Sequence, residues 1–540
     1  MPEVPGAIST ASRPAALRAL AAERHDLVII GGGISAAGIA RAAALLGLRV
    51  AVLEAHDYAA GTSSRSTKLI HGGLRYLALG DIALVRETAR ERKEVHARAP
   101  HLAEPRWMVL PSRSRLDRLK YRVGVSLYEY LGAVASGDRH QNWSRVELEH
   151  EEPAFAAQRH PFACVYREYL TEDARLVLAN LRSAAAAGAQ IVNYARVHAL
   201  LLEGDRAAGV RVRTESGDEL EVRARCVLNA AGPWVEDVRR LESPELAKGW
   251  LHLSKGVHVT LPAARLPVRN LFMLEVPDGR LIFVIPRGSL VYIGTTDTTV
   301  PGTPELWPSV DLADVQYLLA PLTRYFDIEP VRPEEVVSAW AGLRPLIADV
   351  GTRDPTEISR RDEVLIGPRG VVSIAGGKLT GYRPMARAAL ARVGEVLGRP
   401  LGDPEDAAPL PGGDFTGDLA SLERELTRTH SLPPLVSARL VRLYGSESSR
   451  VLERGAELLP GVADAVIGEI DWAVEIEGAL HLEDVVYRRT RLGLYASPSD
   501  ALLAVAADRM GKRLGWSTEQ IELERDRVRQ RLAHDLAFRA

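Results

Sequence analysis

The pattern of hydrophobic residues near the start of the chain predicts a strand, a helix and a second strand. Residues 25–30 and 49–53 are short, continuous apolar runs, which are typical of strands buried in a parallel sheet. Between them, the glycines at 31–33 lead into an alanine-rich stretch at 36–46 that ends at Gly47. Two parallel strands joined by a helix form a βαβ unit.

Further along the chain, the pattern predicts a mixed architecture followed by helices. The remaining predicted elements are helices at 14–24, 81–98 and 171–187, a hairpin over 207–223, alternating strands and turns over 251–300, and buried strands at 226–232 and 371–377. The candidates near the C-terminus are helices at 418–429, 435–444, 480–494, 501–514 and 518–532. This order predicts an α/β protein with an antiparallel-sheet domain and a helical C-terminal domain.

Composition narrows the classes of protein to which the chain can belong. A length of 540 residues is too great for one ordinary core, so we expect two or three domains. The formal net charge of -2 gives no global basic field for nucleic acid. Cys164 and Cys226 have no CxxC spacing, which argues against a disulfide framework or a cysteine-built metal site. We therefore expect no metal site. We also expect a cytoplasmic location, because no stretch approaches the length of a membrane span and residues 1–24 lack the apolar block of a secretory signal.

Residues 31–54 carry a dinucleotide-binding fingerprint. Gly31-x-Gly33-x-x-Ala36 follows a predicted strand and opens a predicted helix. Gly31 allows the tight turn, Gly33 lets a pyrophosphate approach the backbone, and alanine is tolerated at the third position. The helix N-terminus would face the phosphates, and Glu54 is placed to accept hydrogen bonds from a ribose. The fingerprint alone does not choose between NAD and FAD.

Three further segments favour FAD. Residues 62–76 combine hydroxyls, glycines, a histidine and three cations, which can hold both a phosphate-bearing cofactor and an anionic substrate. Residues 229–234 end one predicted strand, and residues 376–380 begin a helix after another. A helix N-terminus directed at the pyrimidine edge of a flavin would stabilise negative charge on the reduced ring. Glycine turns at strand ends far apart in the chain therefore favour one extended cofactor.

Segments spread along the chain match the motifs of one enzyme family. They are residues 28–34, 62–76, 171–180, 229–234, 255–258, 293–297, 342–345, 376–380 and 482–492. In these segments the chain resembles the FAD-dependent glycerol-3-phosphate dehydrogenases of the D-amino-acid-oxidase superfamily. The block that ends in His-Gly-Gly-Leu-Arg-Tyr at residues 71–76 is the most specific of them. The resemblance covers nearly the whole chain after the first two dozen residues.

The resemblance implies an activity and a domain order. The activity is oxidation of sn-glycerol 3-phosphate to dihydroxyacetone phosphate, by hydride transfer from C2 to FAD N5, with electrons passed to a quinone. A Rossmann-type FAD-binding domain interleaved with a substrate-binding domain would occupy residues 25–400, after an N-terminal arm at 1–24. A linker at 401–417, where proline and glycine cluster, would precede a helical domain at 418–540.

The resemblance also implies roles for individual residues. Arg75 and Arg344, with Tyr76 and Lys255, would bind the substrate, and Lys378 would lie between flavin and substrate. Arginine suits this role because it binds a phosphate through two parallel hydrogen bonds. The residues that would line the FAD are Gly31, Gly33, Ile34, Glu54, Thr62, Ser63, Ser64, Lys68, Leu69, His71, Gly72, Gly73, Ala230, Gly232, Trp234, Gly377, Lys378, Leu379 and Thr380.

The proposed chemistry needs a base, because the C2 hydroxyl must lose its proton as the hydride leaves. His258 and His71 are the candidates, since histidine titrates near neutral pH. We favour His258, because His71 lies inside the FAD-binding block. Arg344 and Lys378 complete the candidate catalytic set.

Several alternatives remain open at this point. A glycerol-phosphate oxidase that returns electrons to oxygen is the nearest one, followed by an amine or amino-acid oxidase and by a catalytically silent flavoprotein.

The basic cluster at residues 113–122 and the apolar residues after it fit either lipid contact at the inner face of the cell membrane or a solvated helix face. Gly381 stands where the family usually has another hydroxyl, which predicts a looser flavin turn. The candidate partners are a quinone, membrane lipid and a second copy of the chain.

Overall fold

The computed structural model describes residues 4–71, 82–132, 134, 136–247, 249–348, 362–404 and 408–539. Gly72, Gly73, Arg75 and Tyr76 lie outside the described residues, so their assigned roles stay predictions.

The secondary structure follows the predicted order. The strands of the described residues are β1 (Arg24–Ile30), β2 (Val50–Leu53), β3 (Leu69–Ile70), β4 (Ala103–Ser112), β5 (Gln141–Ser144), β6 (Phe162–Thr171), β7 (Gln190–Val192), β8 (Ala195–Glu203), β9 (Arg206–Thr214), β10 (Glu219–Asn229), β11 (Leu251–Pro262), β12 (Leu271–Glu275), β13 (Leu281–Arg287), β14 (Leu290–Gly294), β15 (Thr298–Thr299), β16 (Ser338–Ile347), β17 (Asp362–Ile366) and β18 (Val372–Gly376). The α-helices are α1 (Arg13–Ala22), α2 (Ile34–Leu45), α3 (Ile82–Arg98), α4 (Arg115–Leu131), α5 (Arg145–Glu151), α6 (Asp173–Ala186), α7 (Val235–Arg239), α8 (Leu312–Leu319), α9 (Leu322–Tyr325), α10 (Tyr382–Leu397), α11 (Leu419–His430), α12 (Pro434–Tyr444), α13 (Ser448–Leu452), α14 (Gly468–Glu475), α15 (Leu492–Tyr495), α16 (Asp500–Leu514) and α17 (Thr518–Asp535).

The first sheet is a Rossmann-type sheet. Its parallel strands have the order β18-β10-β1-β2-β7, with β17 antiparallel at one edge and the β8–β9 hairpin joined to β10. The alanine-rich α2 packs between α6 and α10, and its small side chains (Ala36, Ala40 and Ala43) are fully buried against this sheet. Small residues let the helices pack closely on the sheet. Because β1, β2, β10 and β18 are parallel, their carboxyl ends lie at the same edge, where sheets of this type bind ligands.

The second sheet is mainly antiparallel and lies beside the first. Its order is β15-β11-β14-β13-β12-β4-β6-β3, with β16 paired to β11 over the whole strand and β5 paired to β6. Only the pairing of β12 with β4 is parallel among the strands described. The α/β class, the antiparallel sheet and the helical C-terminal part are thus confirmed, while the boundary at residues 401–417 stays a prediction.

Two predicted elements were wrong in detail. Residues 219–223 and 226–232 are not separate strands, because β10 runs unbroken from an exposed hairpin into the buried sheet. The single helix predicted over 480–494 is instead a π-helical turn (Asp484–Arg489) followed by the short α15. The turn is broken at Arg491, whose φ of 66° is left-handed. Helical periodicity cannot show this break, because it arises from buried ion pairs with residues far away in the chain.

Candidate active site

A cavity of about 490 Å³ lies where the open ends of the first sheet face the second sheet. The predicted site residues that line it are Gly31, Gly33, Ile34, Glu54, Thr62, Ser63, Leu69, His71, Ala230, Gly232, Trp234, His258, Arg344, Gly377, Lys378, Leu379 and Thr380. The fold therefore brings together segments that are more than three hundred residues apart in the chain. This is expected for an extended cofactor that contacts the ends of several strands.

The fingerprint turn has the geometry that its glycine pattern predicts. Gly31 has a φ of 116°, and a Cβ at this position would lie 2.5 Å from the carbonyl oxygen of Ala230. The carboxylate of Glu54 accepts hydrogen bonds from the amides of Gly32 (2.6 Å) and His56 (2.8 Å). Burial raises the pKa of Glu54 to about 7, although both amides favour its charged form. Glu54 thus closes the turn and also faces the cavity, where a ribose can reach it.

The hydroxyl-rich block is the segment 62–76 of the sequence. Some of its described residues line the cavity, and others lie behind the cavity wall. The Ser63 hydroxyl accepts a hydrogen bond from the amide of Ile34 (3.0 Å), so this block contacts the N-terminus of α2. The Lys68 side chain does not line the cavity: it is fully buried, and its ammonium donates to the Ser64 carbonyl (2.8 Å) and to Asp173 (3.1 Å). Within the described residues, Ser64 and Lys68 are therefore not part of the cavity wall.

The third glycine turn meets the hydroxyl-rich block from the other side. The hydroxyl of Thr380 donates to the carbonyl of His71 (3.1 Å). The amide of Gly381 donates to the carbonyl of Lys378 (3.0 Å), and the chain then enters α10. This hydrogen bond closes the turn at Gly381, where the sequence predicted a looser one.

His258 lies on β11 and forms part of the cavity wall. Its Nε2 is 3.0 Å from the Thr67 hydroxyl, and its ring stacks on Trp340 with centroids 4.9 Å apart. The other ring nitrogen, Nδ1, is buried without a hydrogen-bond partner among the described residues. Burial, assisted by the positive charges of Lys68 and Arg344, holds the pKa of His258 well below its usual range. The imidazole is therefore neutral at pH 7 and able to accept a proton.

Arg344 lies on β16, the partner strand of β11, and faces the same end of the cavity. Its guanidinium donates to the Thr295 hydroxyl (2.8 Å), and it forms an ion pair with Asp297 (3.4 Å). A Cβ at Gly256 would overlap this guanidinium, so the glycine leaves room for it. Asp297, which was not among the predicted site residues, thus helps to orient Arg344.

Lys255 does not reach the cavity, although the resemblance assigns it to the substrate. Its ammonium forms ion pairs with Asp311 (2.5 Å) and Asp314 (2.9 Å) on the outer side of β11. Successive side chains of a strand point to opposite faces, and Lys255 and His258 are three positions apart. Its role in binding substrate stays a prediction that this geometry does not favour.

Sequence reasoning missed several cavity residues. Thr67 and Ser66 lie inside the recognised block, so their position in the chain was a signal. Asp173, the first residue of α6, is fully buried and contacts cations from two other segments. At the opposite end of the cavity, Arg196 donates toward His56 (3.0 Å), beside Glu54. Nothing in the sequence pattern of β8 indicates that Arg196 would face a ligand.

These residues fit an extended dinucleotide. The strained Gly31 turn and the α2 N-terminus suit a pyrophosphate, and Glu54 suits a ribose. The turn at Lys378 would receive the far end of the cofactor, beside His258 and Arg344. A Rossmann-type sheet with a basic, histidine-containing pocket at the end of such a cavity defines a dinucleotide-binding enzyme.

Comparisons with known proteins identify the family. The FAD dependent oxidoreductase family matches residues 26–383, and the C-terminal domain of alpha-glycerophosphate oxidase matches residues 405–521. The aerobic glycerol-3-phosphate dehydrogenase of Bacillus subtilis is 34% identical to this chain over 98% of both chains. The Staphylococcus aureus enzyme of the same name is 35% identical over 97% of both. The chain therefore belongs to the FAD dependent oxidoreductases, in the branch that contains the aerobic glycerol-3-phosphate dehydrogenases.

Solved structures agree with this assignment. The glycerol-3-phosphate dehydrogenase of Bacillus halodurans, which was solved in complex with FAD, has a TM-score of 0.80 and 29% identity over 98% of both chains. The FAD-bound L-alpha-glycerophosphate oxidase of Mycoplasma pneumoniae has a TM-score of 0.56 and 16% identity, over 73% of this chain and 98% of its own, and shares the fold. The predicted cofactor, FAD, and the predicted enzyme class are confirmed.

Proposed function

We propose that the protein oxidises sn-glycerol 3-phosphate to dihydroxyacetone phosphate and passes the electrons to a quinone. The observation that carries the proposal is the joint placement of a neutral, buried histidine and a fixed arginine at one end of the FAD cavity. A phosphorylated alcohol needs both groups, one for its hydroxyl proton and one for its phosphate. The names of the full-length relatives support the same substrate.

FAD, when bound, supplies the two-electron acceptor for this oxidation. His258 takes the proton of the substrate hydroxyl, and the hydrogen bond to Thr67 holds its ring in one orientation. Arg344 binds the phosphate or an adjacent hydroxyl, and its own position is fixed by Thr295 and Asp297. Lys378 lines the same cavity and adds positive charge to it.

The substrate is tested by mixing the yellow holoprotein with glycerol 3-phosphate in the absence of air. We expect rapid loss of the oxidised flavin absorption, a far slower loss with glycerol at the same concentration, and no loss with glycine or proline. Bleaching by an amino acid instead would replace the proposal with an amino-acid oxidase. Failure of every substrate to bleach a fully loaded flavin would indicate a catalytically silent flavoprotein.

The acceptor is tested separately, on the substrate-reduced protein. We expect reoxidation by a short-chain ubiquinone to be faster than reoxidation by air, with little hydrogen peroxide produced. Stoichiometric peroxide together with slow reaction with the quinone would identify a glycerol-phosphate oxidase. Mixing reduced protein with each acceptor in a stopped-flow instrument measures both rates on one preparation.

Helix α4 supports a proposal of peripheral contact with membrane lipid. It buries Val125 and Tyr128 against the second sheet and leaves an apolar stripe exposed on its opposite side. The residues of this stripe are Leu116, Leu119, Val123, Leu127 and Tyr130. The exposed cations Arg113, Arg115, Lys120 and Arg122 flank the stripe. An apolar stripe bordered by cations suits the headgroup region of an anionic membrane, and no helix in the described part of the chain is long and apolar enough to cross a bilayer.

Replacing two residues of the stripe, Leu116→Glu with Val123→Glu, should weaken binding to anionic phospholipid vesicles by about tenfold or more, because apolar burial is lost and negative charge is added. Leu435→Glu is the matched control, since Leu435 and Leu116 are both 63% exposed and Leu435 lies on α12. Co-sedimentation with vesicles measures the binding. Equal binding by both variants would show that the stripe is an ordinary solvated face.

A further inference from the structure

The wall behind His258 is built partly by the C-terminal helical part of the chain. Trp340, on which the His258 ring stacks, is contacted edge-on by Tyr495 with centroids 5.9 Å apart. The ring of Tyr495 also stacks on Tyr292 (5.9 Å), whose hydroxyl donates to the carbonyl of Thr67 (3.0 Å). A segment that the sequence left without a function thus contacts the surroundings of the candidate base.

Hydrogen bonds, together with the peptide bond between Ser66 and Thr67, connect the same segment to His258. The guanidinium of Arg491 donates to Asp173 (2.9 Å). The other oxygen of Asp173 accepts from the amide (3.1 Å) and the hydroxyl (2.7 Å) of Ser66. Ser66 precedes Thr67, whose hydroxyl is 3.0 Å from His258 Nε2. Arg491 is therefore linked to the backbone beside Thr67 through the carboxylate of Asp173 and through Ser66.

The backbone at this carboxylate is strained on both sides. Lys68 and Arg491, the two cations that bind Asp173, have φ values of 58° and 66°. Left-handed backbone is unfavourable for side chains of this size and persists only where surrounding contacts enforce it. The side chains of all three residues are at most 1% exposed. Such strain is concentrated at functional sites, which suggests a role beyond holding two parts of the chain together.

We propose that Arg491 is a positioning residue for the reaction, which orients His258 through Asp173, Ser66 and Thr67. Arg491 does not itself line the cavity in the described part of the chain, so it acts only through these residues. The inference rests on the proposed function, in which His258 accepts the substrate proton. Loss of Arg491 would remove one of the two cations that hold Asp173, so that the carboxylate, the Ser66–Thr67 segment and the imidazole would each be held less firmly in one orientation.

The principal test is Arg491→Gln in the FAD-loaded protein. Because a misplacement of about 1 Å can cost about a hundredfold in rate, we expect the rate constant for flavin reduction by saturating glycerol 3-phosphate to fall by about 30- to 100-fold. The apparent dissociation constant of the substrate and the FAD content should stay close to wild type, because Arg491 contacts neither ligand. Arg491→Lys, which keeps the charge and one donor, should recover part of the rate.

The matched control is Arg182→Gln. Arg182 is on α6, as Asp173 is, and its buried guanidinium makes two hydrogen bonds of 2.7 Å to Glu447 in the C-terminal part. Neither Arg182 nor Glu447 is among the described residues that line the cavity. This variant should lose thermal stability without a change in the flavin reduction rate. Equal rates of flavin reduction in Arg491→Gln and Arg182→Gln would show that Arg491 contributes only to stability.

A second readout does not depend on turnover. The groups that face His258 are Lys68, Tyr292 and Arg344, with Asp173 behind Lys68. In wild type, the carbon resonance of labelled His258, assigned by its absence in His258→Asn, should stay at its neutral position as the pH is lowered through the ordinary pKa of histidine. In Arg491→Gln, water admitted beside the ring should move its titration upward, toward the ordinary value for histidine.

The outcomes separate this inference from the proposed function. If wild-type flavin is not reduced by glycerol 3-phosphate, the proposed function fails, whereas the resonance of His258 still reports whether Arg491 orients the ring. If wild type is reduced and Arg491→Gln shows neither a slower rate nor a shifted resonance, the positioning role is refuted. Should Arg491→Gln not fold, Asp173→Asn keeps the shape of the carboxylate and is expected to slow flavin reduction in the same way.

Discussion

Replacing His258 with Asn should lower the rate constant for flavin reduction by about a thousandfold, within the range that loss of a general base produces. Asn is smaller than His and does not extend to the position of Nε2, so it loses the hydrogen bond to Thr67 together with the group that accepts the substrate proton. Because His258 is placed at the substrate end of the cavity, FAD content should not change. Anaerobic stopped-flow reduction at saturating glycerol 3-phosphate measures the effect.

His160 offers a matched control for this experiment. It is equally buried, its ring stacks on Tyr325 with centroids 4.6 Å apart, and burial lowers its pKa to about 4. It is not among the cavity residues of the described chain. His160→Asn should therefore be less stable but reduce its flavin at the wild-type rate. A His258→Asn protein that is reduced as fast as this control would exclude His258 as the base and turn attention to His71.

The pH dependence follows from the direction of the shift at His258. Its pKa is held well below the ordinary histidine range, so the base is neutral at pH 7 and stays neutral until the pH falls well below that range. The rate of flavin reduction should decline only when the pH falls through the lowered pKa, and His258→Asn should lack this acidic limb. The same sign applies to stability: the unfolded chain binds a proton at His258 more readily, so stability falls as the pH drops below about 6.5.

The parts of the fold that short-range patterns determine could be predicted. The run at β1, the glycine turn and α2 form one local unit, so hydrophobic spacing and the fingerprint were enough to place it. The break at Arg491 could not be predicted: it lies at a residue whose guanidinium binds Asp173, more than three hundred residues earlier in the chain. Local propensity contains no information about such a partner, and the periodicity of residues 480–494 therefore indicated an ordinary helix.

The candidate site shows the same division. Residues with a motif of their own, such as Gly31, Glu54 and Lys378, were found and do line the cavity. Lys68 and Lys255 belong to equally distinctive motifs, but neither lines the cavity: Lys68 pairs with the buried Asp173, and Lys255 pairs with Asp311 and Asp314. A motif fixes the position of a residue in the chain, whereas the direction of its side chain depends on strand register and on charges from other segments. Asp297, which was not among the predicted site residues, lies beside Arg344 because β15 and β16 both pair with β11.

Replacing Arg344 with Lys should raise the apparent dissociation constant for glycerol 3-phosphate by about a hundredfold, equivalent to about 2.7 kcal/mol. Lysine keeps the charge but loses the planar pair of donors, and it cannot maintain the contacts with Thr295 and Asp297 that fix the group. Titration of the substrate against flavin absorption in the absence of air gives this constant, and the limiting reduction rate is obtained from the same data.

The comparison of substrates decides which part of the molecule Arg344 binds. If it binds the phosphate, glycerol, which lacks that group, should react equally slowly in wild type and in Arg344→Lys, and the preference for glycerol 3-phosphate should shrink by the same hundredfold or so. If it binds a hydroxyl, both substrates should react more slowly. Arg265→Lys is the control, since Arg265 is 23% exposed against 24% for Arg344 and is held by Glu335 outside the cavity. Equal substrate affinity in the Arg344 and Arg265 variants would remove Arg344 from the substrate site and leave the phosphate to other cations, among which the sequence nominates Arg75.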